Sequence, residues 1–220
     1  MILSYSISII LIFCAYLLGS IPSGYLAGRW LKDIDIREHG SKSTGATNVL
    51  RTLGKTAAIT VLIADILKGA ISVGLVKLLY TINTNPILPD SWQYILVVIA
   101  ATAAIIGHSK SIFLNFTGGK SVATTIGVLF VMNSLVAGCT FAIFALFLSI
   151  FRIVSLGSIA GAVAVIILMI AFNQPLPYII FAVFTGIYVI IRHKANIIRL
   201  LEGTEPKIGS KISSSKPETT

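Results

Sequence analysis

Charge is scarce in this chain. Only 11% of its 220 residues are charged, where a soluble domain carries about 25%. With 55% hydrophobic residues and a mean hydropathy of +0.93, it has too little polar side chain to cover a water-facing surface. The bilayer must be its main solvent. Acid is scarcer still. Four scattered aspartates, Asp33, Asp35, Asp65 and Asp90, exclude the aspartate cluster that holds metal in a CDP-alcohol phosphotransferase. The two cysteines, Cys14 and Cys139, lie far apart inside apolar runs, which points to packing rather than metal or disulfide chemistry. No metal and no cofactor is expected. The net charge of +9 does not imply nucleic acid, because no basic segment is interleaved with exposed aromatics. A basic n-region and a cleavage site are also lacking at the N-terminus, so it reads as a retained transmembrane helix rather than a signal peptide.

What is present is a series of apolar runs, at 2–27, 56–79, 92–106, 122–151, 153–172 and 178–191. Thirty helical residues would measure about 45 Å, against a hydrocarbon core of about 30 Å, so the run 122–151 is too long for one upright span. Charge parity resolves it. Segment 29–55 holds six Lys or Arg, 80–91 holds none, and the tail from Arg192 is basic. Splitting the long run near Asn133-Ser134 puts every basic loop on one side, as the positive-inside bias requires. The expected fold is an all-α integral membrane protein of about seven transmembrane helices, some short or broken, with the N-terminus outside and the C-terminus cytoplasmic. Residues 1–209 form one domain, and 210–220 form a polar, disordered tail.

Three polar segments then share the cytoplasmic face. REHGSKSTGATNVLRTLGK, at 37–55, offers small residues that free backbone amides for an anion, and Arg51 for bidentate phosphate contact; a flexible juxtamembrane loop is the plainer reading. GHSKSIFLNFTGGKSVATT, at 107–125, sets Gly118, Gly119 and Lys120 before an apolar run, a phosphate-friendly helix start. It is not a nucleotide P-loop, since Leu114 stands where that motif has its first glycine. IRHKANIIRLLEGTEPKIG, at 191–209, carries His193 and Asn196 three apart, on one face if the last helix continues through them. Glu205 beside Pro206 serves equally well as a brace for a turn. Asp65 and Lys68, three apart at membrane depth, are expected to pair. Ser155 and Ser158 open the helix after Arg152, one as a cap and one able to reach a site.

In order, spacing and topology these segments resemble the acyl-phosphate:glycerol-3-phosphate acyltransferases (the PlsY family), from LLGSIPSGYLAG through TEPKIG. The resemblance implies a bacterial inner-membrane, multi-pass enzyme with its active site at the cytoplasmic face. It would perform the first acylation of phospholipid synthesis, taking acyl phosphate and glycerol 3-phosphate to 1-acyl-glycerol 3-phosphate and phosphate. A functional link to an enzyme that makes acyl phosphate from acyl carrier protein would follow. By the same resemblance Ser41 and Arg51 serve the glycerol phosphate, Gly118, Gly119 and Lys120 form a phosphate loop, and Ser158 lies near a bound phosphate. His193 and Asn196 form the third motif's polar pair, and Glu205 has a structural role. Lys42 and Ser43, Thr117 and Ser121 depart from the family pattern, which bears on loop geometry more than on reaction class.

Acyl phosphate is a mixed anhydride with a good leaving group, so placement and charge neutralisation are the main tasks. The His-Asp spacing of thioester-dependent acyltransferases is absent: Thr44, Phe113 and Ile198 follow the three histidines at that distance. Either His193 is the general base, or a donor phosphate oxygen takes the proton while His193 and Asn196 orient the acceptor, the reading preferred here. Ser41 as a covalent carrier lacks an evident partner histidine. The rival from another class is a polytopic transporter of a small phosphorylated anion, which would need polar residues across the depth of several helices.

Overall fold

The computed structural model describes residues 1–82 and 87–209. The tail expected to be disordered from residue 210 lies outside the described residues. Among the described residues ten α-helices follow in order: α1 (Ile2–Ser20), α2 (Ser23–Lys32), α3 (Ala46–Leu53), α4 (Lys55–Ile82), α5 (Gln93–Ser109), α6 (Val122–Met132), α7 (Ser134–Phe151), α8 (Val154–Ala171), α9 (Leu176–Arg192) and α10 (Lys194–Leu201).

The helices turn large apolar residues outward and small ones inward. On α1, Ile9, Ile10 and Phe13 are exposed while Ser4, Ser8, Ala15 and Gly19 are buried. That pattern suits lipid, where apolar surface gains nothing by leaving the solvent and helices associate through close backbone approach. A Cβ on Gly19 would lie 2.2 Å from the Ala104 carbonyl oxygen, and one on Gly107 2.3 Å from that of Tyr16. These two contacts seat α1 on α5. Gly69 and Gly127 seat α4 on α6 in the same way, 2.2 Å from Thr124 O and 1.9 Å from Ile66 O.

The long run does break at Asn133, whose Oδ1 accepts the Val136 N–H at 3.0 Å and so caps α7. Its Nδ2 donates to Gln174 at 2.9 Å. The resulting α6 has 11 residues, about 16 Å of helix. Lys77 Nζ donates at 2.7 Å to Val131 O, one of the carbonyls that this short helix leaves open at its end. Two further breaks shape the bundle. The first run is not one helix: α1 stops at Ser20 and α2 begins at Ser23, because Pro22 has no N–H to continue the ladder. The last helix does not continue through His193, since α9 and α10 meet there at 60°.

Among the described residues five helical runs are long and apolar enough to cross a membrane, or six with the bent pair α9–α10. Their ends sort into two groups. At one, Ser4 Oγ donates to Ile87 O at 2.6 Å and Tyr5 packs on Trp92. At the other, Ser111 Oγ donates to Ser20 O at 2.6 Å, Arg51 reaches Pro206 O at 3.5 Å, and Arg152 reaches Ile208 O at 3.2 Å. The three polar segments therefore converge at one end of the bundle.

Candidate active site

Asn48 folds the first polar segment. It is 1% exposed. Its Nδ2 faces the carbonyls of Ile36, His39 and Ser43 at 3.0, 3.0 and 2.8 Å, and its Oδ1 accepts the Ser41 N–H at 2.8 Å. Gly40 has φ +56°, and a Cβ there would lie 2.3 Å from Asn48 Oδ1, so glycine is required twice over. The folded loop sets Ser41, Ser43 and Arg51 on the wall of a cavity. Sequence reasoning missed Asn48; its signal was an amide on the inward face of an amphipathic stretch.

The glycines of the second segment stand behind that wall, which is formed from Lys120 and Ser121 onward. Gly119 N donates to His108 O at 3.2 Å. Arg192 donates from one guanidinium nitrogen to the carbonyls of Gly118 and Gly119, at 3.2 and 2.9 Å. Arg192 is the second residue missed. It pulls both carbonyl dipoles away from any anion in the cavity, and nothing in its own segment betrays a partner 73 residues away. Arg37 reaches the Thr117 hydroxyl at 3.3 Å, which brings a cation to one of the positions that depart from the family pattern. Burial lowers the Lys120 ammonium to about 8, partly offset by Glu205.

In the third segment the bend performs what a continuous helix was expected to do. His193 ends α9 and its carbonyl accepts the Asn196 N–H at 2.8 Å, so both side chains reach the cavity. His193 Nδ1 lies 2.7 Å from Val189 O. A carbonyl only accepts, so Nδ1 carries the proton and the neutral ring keeps its lone pair on Nε2. Lys120 Nζ donates to Asn196 Oδ1. Asn196 Nδ2 in turn donates to Glu205 Oε1 at 2.6 Å, Ser155 Oγ to the same oxygen at 2.8 Å, and Arg199 Nε to Oε2 at 2.7 Å. Burial alone would raise the Glu205 carboxyl; these three donors outweigh it and hold it below its ordinary value. Ser158 also stands in the wall, with its hydroxyl turned back to Val154 O at 2.9 Å.

One cavity of about 450 Å³ is lined by residues of all three segments. Its polar head holds Ser41, Arg51, Lys120, His193, Asn196 and Glu205; its other arm runs between α4, α6, α7 and α8 past Leu62, Ile126, Phe144 and Leu148. Ile59 on α4 and Phe141 on α7 line the cavity yet are 47% and 48% exposed, so it opens sideways through the apolar belt. Among the described residues no three of His, Cys, Asp and Glu gather as a metal site would require.

The sequence profile described as Glycerol-3-phosphate acyltransferase matches residues 9–203. A glycerol-3-phosphate acyltransferase of Rippkaea orientalis is 62% identical over 211 residues, covering 96% of this chain and 97% of that one. Its counterpart in Crocosphaera subtropica is 57% identical, covering 96% and 98%. Among solved structures, PlsY (YgiH), an integral membrane glycerol 3-phosphate acyltransferase in its glycerol 3-phosphate form, superposes with a TM-score of 0.82 at 35% identity, over 92% of this chain and 96% of that one. Likeness of this extent makes the chain a member of the glycerol-3-phosphate acyltransferase family.

Proposed function

We propose that this enzyme transfers an acyl group from acyl phosphate to the sn-1 hydroxyl of glycerol 3-phosphate. The carrying observation is the shape of the cavity: a cationic head continuous with an apolar arm that opens to the bilayer. An acyl phosphate, with an anionic head on a hydrocarbon chain, is complementary to both parts. The chain would lie in the apolar arm and its phosphate against Lys120. Glycerol 3-phosphate would enter from water and place its phosphate against Arg51 and Ser41.

The hydroxyl oxygen attacks the acyl carbon, the bond from that carbon to the phosphate oxygen breaks, and hydrogen phosphate leaves. The hydroxyl proton ends on the phosphate, so the reaction balances without a net proton acceptor. His193 Nε2, left as an acceptor by the Val189 bond, orients the hydroxyl, and Asn196 fixes Lys120 beside the leaving group. Lys120 and Arg51 neutralise the two phosphates, which would otherwise repel each other. Ser41 acts as a phosphate ligand rather than an acyl carrier.

The basic end of the bundle faces the cytoplasm of a bacterial inner membrane on this reading, in line with the positive-inside bias. The donor reaches the site from an enzyme that makes acyl phosphate from acyl carrier protein. Residues 1–209 are the working unit, so a chain ending at Gly209 keeps its turnover.

Donor choice tests the proposal. Purified protein in lipid receives glycerol 3-phosphate with palmitoyl phosphate, palmitoyl-CoA or palmitoyl-acyl carrier protein, and lysophosphatidate and free phosphate are followed. Equal release of both products with palmitoyl phosphate alone is expected. Turnover only with a thioester would overturn the donor and the phosphate role of Lys120. No turnover with any donor would bring anion transport forward.

A further inference from the structure

Two residues that line the cavity beside Lys120, Asp65 and His108, have no part in the reaction as described. Beneath Gly119 lies His108, at the end of α5 and 7% exposed. A Cβ on Gly119 would come within 2.2 Å of His108 Nε2, and one on Gly118 within 2.2 Å of His108 O. The other ring nitrogen, Nδ1, faces Asp65 Oδ1 at 3.7 Å. Asp65 is held at 2.9 Å by Lys68, whose ammonium also donates to Ile21 O at 2.9 Å, in the break between α1 and α2. An apolar trio would be cheaper to bury at this depth. Lys68, Asp65 and His108 instead form a chain of polar contacts from that break to the underside of the loop. Neither Asp65 Oδ1 nor His108 Nδ1 has a well-formed hydrogen bond.

We infer that Asp65 and His108 are positioning residues for the donor phosphate. The His108 ring sets the height of Gly119, and hence of Lys120, against the cavity, and Asp65 sets the ring. On this view the two glycines are needed for close approach to His108 rather than for amides presented to the anion. Gly119 has no left-handed backbone requirement, so the His108 ring is the obstacle to a side chain there. This rests on the reading of Lys120 as donor-phosphate ligand.

The test is a double-mutant cycle on KM for palmitoyl phosphate. Gly119→Ala and His108→Ala are each expected to raise that KM about ten- to a hundredfold, the size of effect that misplacement by an ångström produces. KM for glycerol 3-phosphate should stay within about twofold. With the ring gone an alanine at 119 fits, so the double variant should be no worse than His108→Ala alone. His108→Asn, which keeps a donor toward Asp65, provides the same cycle if the alanine variant does not fold. Additive effects, or a parallel rise of both KM values with a falling melting temperature, would overturn the inference. Lys120→Ala keeps the two failures apart: if it leaves KM for palmitoyl phosphate unchanged, the donor-phosphate reading is wrong whatever His108 does.

Discussion

Glu205 and Asp65 are both buried carboxylates at the polar end of the bundle, 8% and 2% exposed, yet their surroundings differ. Glu205 receives three donors, from Asn196, Ser155 and Arg199. It joins α8, α10 and the chain beyond them into one satisfied network at the cavity wall. Asp65 meets Lys68 and faces His108 with poor hydrogen-bond geometry. A satisfied network fixes structure, whereas a half-satisfied one keeps charge where apolar packing would be more stable. The first is a scaffold that happens to touch the site. The second is retained for what it does to the loop above it.

Breaking each hub separates them. Asp65→Ala leaves Lys68 buried without its counterion, and should cost about 3–5 kcal/mol, read as a lowered thermal midpoint in detergent. Replacing both Asp65 and Lys68 by Leu should recover most of that midpoint while KM for acyl phosphate stays raised. Recovery of KM along with stability would make the cluster a mere packing defect. Glu205→Ala should cost less, about 2 kcal/mol, because Arg199 is 36% exposed and water replaces its partner. Turnover should fall further than stability, since Asn196 loses the contact that aims it at Lys120.

Between the hubs stands the Lys120 ammonium, bound to Asn196. Lys120 is lowered to about 8 by burial, so the free enzyme loses this charge as pH rises through that value. Because an anionic donor binds the charged form, kcat/KM for acyl phosphate should be level below about pH 7 and fall above about pH 8. Lys120→Arg should move the fall to higher pH. A profile unchanged by that substitution would assign the titration to another group.

The legible parts of this molecule were those governed by local rules. The break at Asn133 followed from a run longer than the bilayer and from charge parity, and the Asp65–Lys68 pair from helical spacing. The convergence of three segments followed from their shared side. What stayed hidden depends on groups distant in sequence meeting backbone. Asn48 and Arg192 bind carbonyls, which every residue carries, so no pattern of side chains announces them. His108 is found only once the missing Cβ of Gly119 is placed beside its ring. The bend at His193 was hidden for another reason: helical spacing was enough to put His193 and Asn196 together, so a break was not needed to explain them.

The smallest effect is expected at the opposite end, where Asn133 caps α7 and holds Gln174. Asn133→Ala removes one cap, worth about 1 kcal/mol, and frees a side-chain contact rather than a charge. Its side chain bonds no residue that lines the cavity. The thermal midpoint should fall slightly while both KM values and the pH profile stay in place. A change in KM would mean that the short α6, whose two ends carry Lys120's loop and Asn133, transmits register along its 11 residues. The loop would then be set from both ends of that helix, and not from the Asp65 cluster alone.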